Sequence, residues 1–240
     1  MAAIRFAVEA KLPEEDFQIL DIMARRNNLR QADYRWRDKI TGCDQKGISM
    51  DESHLWGGIV RKMWLTETEK FRNHLLRLDE YSRRMRFGMA ADDAFIENYA
   101  SRIKDMQSLV YGCFIDGEMR GAAELRHIGD TWRPDAEAAF SVEPEHQNRG
   151  LGAELLGRVI RAARNRGIDR IYMNCLAENQ KMQRLARKYE AELHFDHGEV
   201  VGKVVPSSPT YMTLWNEALE DSSGFVMAVL DLPLRLVPAA

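Results

Sequence analysis

Val142-Glu143-Pro144-Glu145-His146-Gln147-Asn148-Arg149-Gly150-Leu151-Gly152-Ala153 joins an alternating apolar segment to the start of a strongly amphipathic helix. The glycines at 150 and 152 carry no Cβ, so an anion can approach the main chain closely there. Free N–H groups at a helix start point outward, and the helix dipole adds partial positive charge, which suits a phosphate. Leu151, Leu155, Leu156, Val159, Ile160 and Ala163 recur on one helical face, which predicts burial. Arg158, Arg161 and Arg164 are expected to face water, and Gly167 to end the helix. No Lys-Ser/Thr follows the second glycine, and no third glycine completes Gly-x-Gly-x-x-Gly, so two nucleotide-binding loops are disfavoured. A lone Gly-x-Gly can also serve simply as a tight strand-to-helix turn, so its surroundings decide.

Those surroundings are specific. Ala136 to Val142 reads as a strand that Pro144 terminates, Ile168 to Leu176 as a second strand, and Asn179 as the N-cap of a helix from Gln180 to Glu190. With them, Gln147, Asn148, Arg149, Gly150, Leu151 and Gly152 resemble the Gln/Arg-x-x-Gly-x-Gly/Ala signature of the GNAT superfamily of acyl-CoA-dependent N-acetyltransferases. The resemblance spans roughly Gly58 to Val205. It implies an α+β fold, a central mixed and mostly antiparallel sheet flanked by helices, and acetyl-CoA as acyl donor. On the family pattern, the amides of Asn148, Arg149, Gly150, Leu151, Gly152 and Ala153 hold the pyrophosphate. Phe140, Ser141 and Val142 line the acetyl and pantetheine parts, and Asn179 stands at the family's Asn position.

Composition agrees with an enzyme domain of this kind. The 240 residues are 45% hydrophobic, enough for one sizeable core and an appendage. A formal net charge of −3 without a long basic run disfavours nucleic acid as a partner. Cys43, Cys113 and Cys175 are widely spaced, with no Cys-x-x-Cys and no paired His at ligand spacing, so neither a disulfide framework nor a metal site is expected. The N-terminal segment lacks an extended apolar core and no apolar run is long enough to span a bilayer. The expectation is a cytoplasmic protein with no membrane partner.

Three zones follow. Residues 1–57 are expected to form a helical extension, from Pro13 to about Ile40, and a linker. Residues 58–205 form the transferase domain, and 206–240 a C-terminal extension packed on it. Within the domain, Ile59 to Leu65 predicts a first strand, and Thr66-Glu67-Thr68-Glu69 a capping box in which Thr66 caps and Glu69 reaches back. Helices are expected around Glu80 to Phe87 and from an Asp92 cap to Tyr99. Leu109 to Ile115, the Asp116-Gly117 turn and Met119 to Ile128 predict a hairpin, which the next strand extends into a meander. Beyond Val205, a helix near Tyr211 to Leu219 is expected to be interrupted by Asp221-Ser-Ser-Gly224. Self-association into a homodimer through the flanking segments is a further expectation.

Acetyl transfer to an amine needs a proton acceptor, because a lysine-like ammonium has a pKa near about 10.4. Glu137 is the candidate: it lies ten positions before Gln147, and Ala136 to Val142 resembles the strand carrying the catalytic glutamate in bacterial GNAT protein-lysine acetyltransferases. Leu78-x-x-x-Ser82-x-x-x-Arg86-Phe87 is similar to that subgroup too. Glu124 and Glu143 are competitors, the latter at the family's usual strand bulge. Where many members place an acidic Tyr seven residues after the Asn, this chain has Ala186, a departure the subgroup shares; Tyr189 reads as core. Cys175 is expected to be a buried thiol, the Arg83, Arg84 and Arg86 cluster a solvated helix face, and the tryptophans packing anchors. The acceptor is then a protein lysine or a small amine. The contrasting reading is a non-catalytic acyl-CoA-binding module, favoured by the missing Tyr and the unusual flanks.

Overall fold

The computed structural model describes residues 57–104, 108–128 and 135–230. The expected N-terminal helix and linker and the loop before Asp135 lie outside them. Seven strands form one sheet in the order β1-β2-β3-β4-β5-β7-β6. They are β1 (Ile59–Lys62), β2 (Leu109–Ile115), β3 (Glu118–Ile128), β4 (Asp135–Val142), β5 (Arg170–Leu176), β6 (Glu192–Asp196) and β7 (Glu199–Val204). The helices are α1 (Thr68–Arg77), α2 (Glu80–Phe87), α3 (Asp93–Ser101), α4 (Leu151–Asn165), α5 (Gln180–Lys188) and α6 (Tyr211–Leu230). Among the described residues only β4 and β5 run parallel, and every other pairing is antiparallel. This is the expected mixed sheet, and the predicted meander β2-β3-β4 forms in full.

Strand alternation sends neighbouring residues to opposite faces, so two cores form. On one face Ala123, Leu125, Ala136 and Ala138 meet Leu155, Leu156 and Val159 of α4. On the other, Val110, Phe114, Met119 and Ala122 meet Phe71, Leu75 and Ile96 from α1 and α3. Small residues dominate β3 and β4 because α4 lies close: a Cβ on Gly121 would stand 3.1 Å from Leu151 Cδ2. Each fully buried Leu contributes on the order of 2 kcal/mol.

Helix starts follow local chemistry. Asp79 and Asp92 cap α2 and α3, accepting from Ser82 N at 2.7 Å and Phe95 N at 2.8 Å. The Thr66 capping box does not form. Strand β1 stops at Lys62 and a 3₁₀ turn occupies Leu65–Glu67. Glu67, not Glu69, reaches back, to Trp64 N at 3.2 Å. It is fixed there by two bonds from buried Arg61, at 2.6 and 2.7 Å. Burial would raise the Glu67 carboxyl, but Arg61 outweighs it and holds it below the usual range.

The C-terminal helix also departs from expectation, running unbroken through Asp221-Ser-Ser-Gly224. Ser222 and Ser223 turn their hydroxyls back onto Ala218 O at 2.8 Å and Glu220 O at 3.0 Å, inside the helix. Gly224 is where α6 crosses β1, a Cβ there lying 3.3 Å from Arg61 Cβ. Glu217 bonds Arg166 Nη1 at 2.6 Å, and Glu220 bonds Arg158 at 2.5 Å and also Arg161. Two of the three arginines expected to face water are therefore covered by α6. Trp64 anchors Phe225, with ring centroids 5.3 Å apart, whereas Trp215 is 64% exposed and anchors no packing among the described residues.

Candidate active site

Strands β4 and β5 pair only at Asp135↔Arg170, Ala136↔Ile171 and Glu137↔Tyr172. Beyond Glu137 they part, and β5 turns to β7. In the β3–β4 ladder the register is constant from Ile128↔Asp135 to Gly121↔Val142, and Glu143 N continues it with a bond to Arg120 O at 3.0 Å. Glu143 therefore sits in no bulge. Backbone groups alternate edges along a strand, so Ser141 faces β3 while the N–H groups of Phe140 and Val142 face the opening beside β5. Gln147 Nε2 reaches Val142 O from that side at 2.9 Å, and Lys181 Nζ reaches Gln147 Oε1 at 2.7 Å.

The opening leads to the Gly-containing loop. Asn148 has φ +59° and Gly150 φ +86°, and Asn148, Arg149 and Gly150 are exposed. Left-handed residues in such succession curve the chain so that consecutive N–H groups converge. The Leu151 and Gly152 N–H groups lie in the first turn of α4, beyond reach of any intrahelical carbonyl. Ala153 is different: its N–H already donates to Gly150 O at 2.9 Å. The loop thus offers the N–H groups of Asn148, Gly150, Leu151 and Gly152, with buried Leu151 anchoring it in the core. A concave run of donors at a helix start fits a diphosphate.

Behind the cleft stands a buried array that sequence reading missed. His74 on α1 is 0% exposed; its Nδ1 lies 3.1 Å from Glu143 Oε1 and its Nε2 2.9 Å from Ser141 Oγ. Glu143 also accepts from Arg77 Nε at 2.9 Å and Arg120 Nη1 at 3.0 Å. Burial would raise the Glu143 carboxyl, but the bonds from His74, Arg120 and Arg77 hold it at about 2. Burial pushes the His74 imidazole down against the pull of Glu143. The neutral ring gives its Nδ1 proton to Glu143 and accepts from Ser141 at Nε2. The order Ser-His-Glu resembles a hydrolytic triad, yet total burial of the imidazole makes it a brace between α1 and the end of β4. Partners 66 to 69 residues apart in sequence left no local signal.

Glu137 projects to the sheet face that carries α2. Its Oε1 accepts from Asn174 Nδ2 at 2.9 Å. Arg126 is its cross-strand partner. The competitor Glu124 is buried and consumed by structure, accepting from Arg86 and from Tyr99 OH at 2.6 Å. Burial, opposed by Arg86, pushes the Tyr99 phenol up to about 12. The arginine cluster is not a solvated face. Arg83 bonds Leu76 O at 2.6 Å, Arg86 is buried with Glu124, and only Arg84 turns outward, to Glu178 at 2.9 Å. Asn179 caps α5, its Oδ1 accepting from Met182 N at 3.0 Å. Ala186 is buried, and Tyr189 OH donates to Ala153 O at 2.6 Å, which ties α5 to α4. Burial raises the Cys175 thiol to about 11, leaving little thiolate near neutrality.

A mixed sheet that opens between parallel strands, with a loop of main-chain donors at the mouth, defines an acyl-CoA transferase fold. The sequence profile of the "Acetyltransferase (GNAT) family" matches residues 71–190, and the chain belongs to that family. It is an N-acetyltransferase whose acyl donor is acetyl-CoA. Among solved structures it is similar to the GNAT domain of PAT from S. lividans, with 22% identity, TM-score 0.55, and 64% of this chain and 98% of that one covered. It is likewise similar to spermidine N-acetyltransferase from Vibrio cholerae, with 18% identity, TM-score 0.50, and coverage of 63% and 97%. An acetyltransferase of the GNAT family from Streptococcus pneumoniae aligns with 14% identity, TM-score 0.50, and coverage of 62% and 99%. At these identities the likeness speaks to the fold.

Proposed function

We propose that this enzyme transfers acetyl directly to a primary amine within a ternary complex, with Glu137 as proton acceptor and a protein lysine as the preferred acceptor. The observation that carries the reading is the parting of β4 from β5 immediately after Glu137. It puts a carboxylate at the vertex of an opening whose β4 edge presents the Phe140 and Val142 N–H groups. Acetyl-CoA, when bound, supplies the acetyl thioester. The amides of Asn148, Arg149, Gly150, Leu151 and Gly152 hold its diphosphate, and Ser141, through His74, keeps the β4 edge in place. Phe140 and Val142 N–H groups stabilise negative charge developing on the carbonyl oxygen without reorganising. Glu137 takes the ammonium proton, directly or through water, and the neutral amine attacks. Without Tyr at position 186, the leaving thiolate depends on its own low basicity, a thiol pKa near about 8.5.

The lysine preference rests on the strand Ala136 to Val142 and on the Leu78, Ser82, Arg86, Phe87 pattern, which resemble the protein-lysine subgroup. A cytoplasmic location is proposed with it, since lysine-bearing proteins and acetyl-CoA meet there. Coenzyme A release, measured with free polyamines, amino acids and lysine peptides alongside acetyl-CoA calorimetry, tests the reading. Turnover with peptides is expected, and Glu137→Gln is expected to lower kcat/KM by about 10²-fold or more at neutral pH. Acetyl-CoA binding without turnover of any amine would overturn it; full activity in Glu137→Gln would remove Glu137 from the base role alone.

A further inference from the structure

Glu137 is the last β4 residue paired to β5, opposite Tyr172. Asn174 lies two residues further along β5, so it shares Tyr172's face. Had the strands stayed together, Asn174 would have stood opposite Ala139. Instead its amide leans back across the vertex to Glu137 Oε1 at 2.9 Å. A carboxylate only accepts, so the amide nitrogen must face it. That choice leaves Asn174 Oδ1 buried with no hydrogen-bond partner among the described residues. An orphaned buried acceptor costs about 1–3 kcal/mol. The amide thus spends its donor on the carboxylate and leaves its oxygen unpaired.

We infer that Asn174 is the positioning residue of Glu137: its N–H holds Oε1, and so leaves Oε2 as the proton-accepting oxygen turned to the acceptor amine. The inference rests on the direct-transfer reading above. Other charged or titratable groups on this face include Arg126 opposite Glu137, Glu124 with Arg86 from α2 and Tyr99 from α3, Tyr172 on β5, the Arg84–Glu178 pair, and His74, Arg77 and Arg120 around Glu143 beyond the end of β4. Arg86, Tyr99 and Glu124 are bound to one another, so Asn174 is the neutral donor placed on the base itself.

The test compares Asn174→Leu, Asn174→Gln and Asn174→Asp with the wild type in two readouts. One is the split of kcat from KM for the acceptor amine at saturating acetyl-CoA; the other is melting temperature and acetyl-CoA affinity, which need no acceptor. Asn174→Leu, which removes the donor, is expected to lower kcat about tenfold with melting temperature and acetyl-CoA affinity unchanged. Asn174→Asp, which sets a second carboxylate against Glu137, is expected to lower kcat further, and Asn174→Gln, which keeps an amide donor, to restore part of the wild-type kcat. A mere latch at the strand vertex would alter melting temperature or acetyl-CoA affinity and leave kcat in place, which would overturn the inference. The two ideas fail distinguishably. An unchanged kcat in Asn174→Leu removes the positioning role even where transfer is confirmed, while a wild type that binds acetyl-CoA and turns over no amine removes the transfer reading and this inference with it.

Discussion

Glu143 is held by one imidazole and two guanidinium groups, and its position directly after β4 makes it the carboxylate on which the geometry of the cleft edge depends. Its carboxyl titrates at about 2 in the fold against about 4.3 unfolded, so the stability it supplies is present above about pH 4.3 and is lost as pH falls toward about 2, an amount of about 3 kcal/mol. His74 acts earlier on the same axis. Its folded pKa is depressed, so below about pH 6.5 the unfolded chain takes up a proton that the fold refuses, and stability declines from there. Urea midpoints are therefore expected to be level from about pH 8 down to about 6.5 and then to fall. His74→Gln is expected to lower the level by about 1–3 kcal/mol and to remove that first decline. Midpoints that stay constant for the wild type down to about pH 5 would contradict the assignment of a neutral, buried His74. At the loop, Gly150 adopts φ +86°, a conformation that costs a β-branched residue about 1–2 kcal/mol. Gly150→Val should flatten the loop and weaken acetyl-CoA binding about tenfold or more in calorimetry; unchanged affinity would contradict the diphosphate site.

At the scale of elements, the parts of the site with local rules were legible and the parts made by distant partners were not. Periodicity placed α4, turn chemistry placed the β2–β3 hairpin, and the Asp92 cap placed α3, because each signal lies within a few residues of its consequence. The capping error at Thr66 came from the same reasoning defeated by tertiary structure: Arg61 claims Glu67, and no window of sequence announces that pair. Likewise α6 looked breakable at Ser222-Ser223-Gly224 until Arg61's stem and the Glu217 and Glu220 clamps were in place to hold it. Lys181 had no signal at all. It lies in the first turn of α5 and brings its ammonium to Gln147 Oε1 at 2.7 Å, beside the loop proposed to receive the diphosphate. As an exposed charge it should contribute to binding rather than to chemistry. Lys181→Met is thus expected to raise the KM for acetyl-CoA roughly threefold to tenfold with kcat unchanged, the pattern of uniform binding, and the difference should shrink in high salt. A variant that instead lost kcat would place Lys181 in the chemical step.

For the whole molecule, α6 is the element whose two faces do different things. Its inner face, with Glu217, Glu220, Asp221 and Gly224, clamps α4 and β1, at the sheet edge opposite β6. Its outer face carries Tyr211 at 93%, Met212 at 66%, Trp215 at 64% and Leu219 at 54% exposure. Tyr211, Trp215, Ala218 and Ser222 follow the three- and four-residue spacing of a single stripe, which contains no charged side chain. An uncharged stripe discriminates against charged partners, and a second copy of the chain offers an identical one across a two-fold axis. Two such helices pairing cover less than the roughly 1,200–2,000 Å² of a stable interface, so the association should be reversible and concentration-dependent. Sedimentation velocity across a micromolar range is expected to show the weight-average mass rising with concentration for the wild type and staying at that of a monomer for Trp215→Glu, which buries an unpaired charge if the stripes meet. Because the stripe lies away from the β4–β5 opening, acetyl-CoA affinity should be the same in both proteins. A wild type that remains monomeric throughout would remove the second copy as the occupant of this face and leave the cleft assignments untouched.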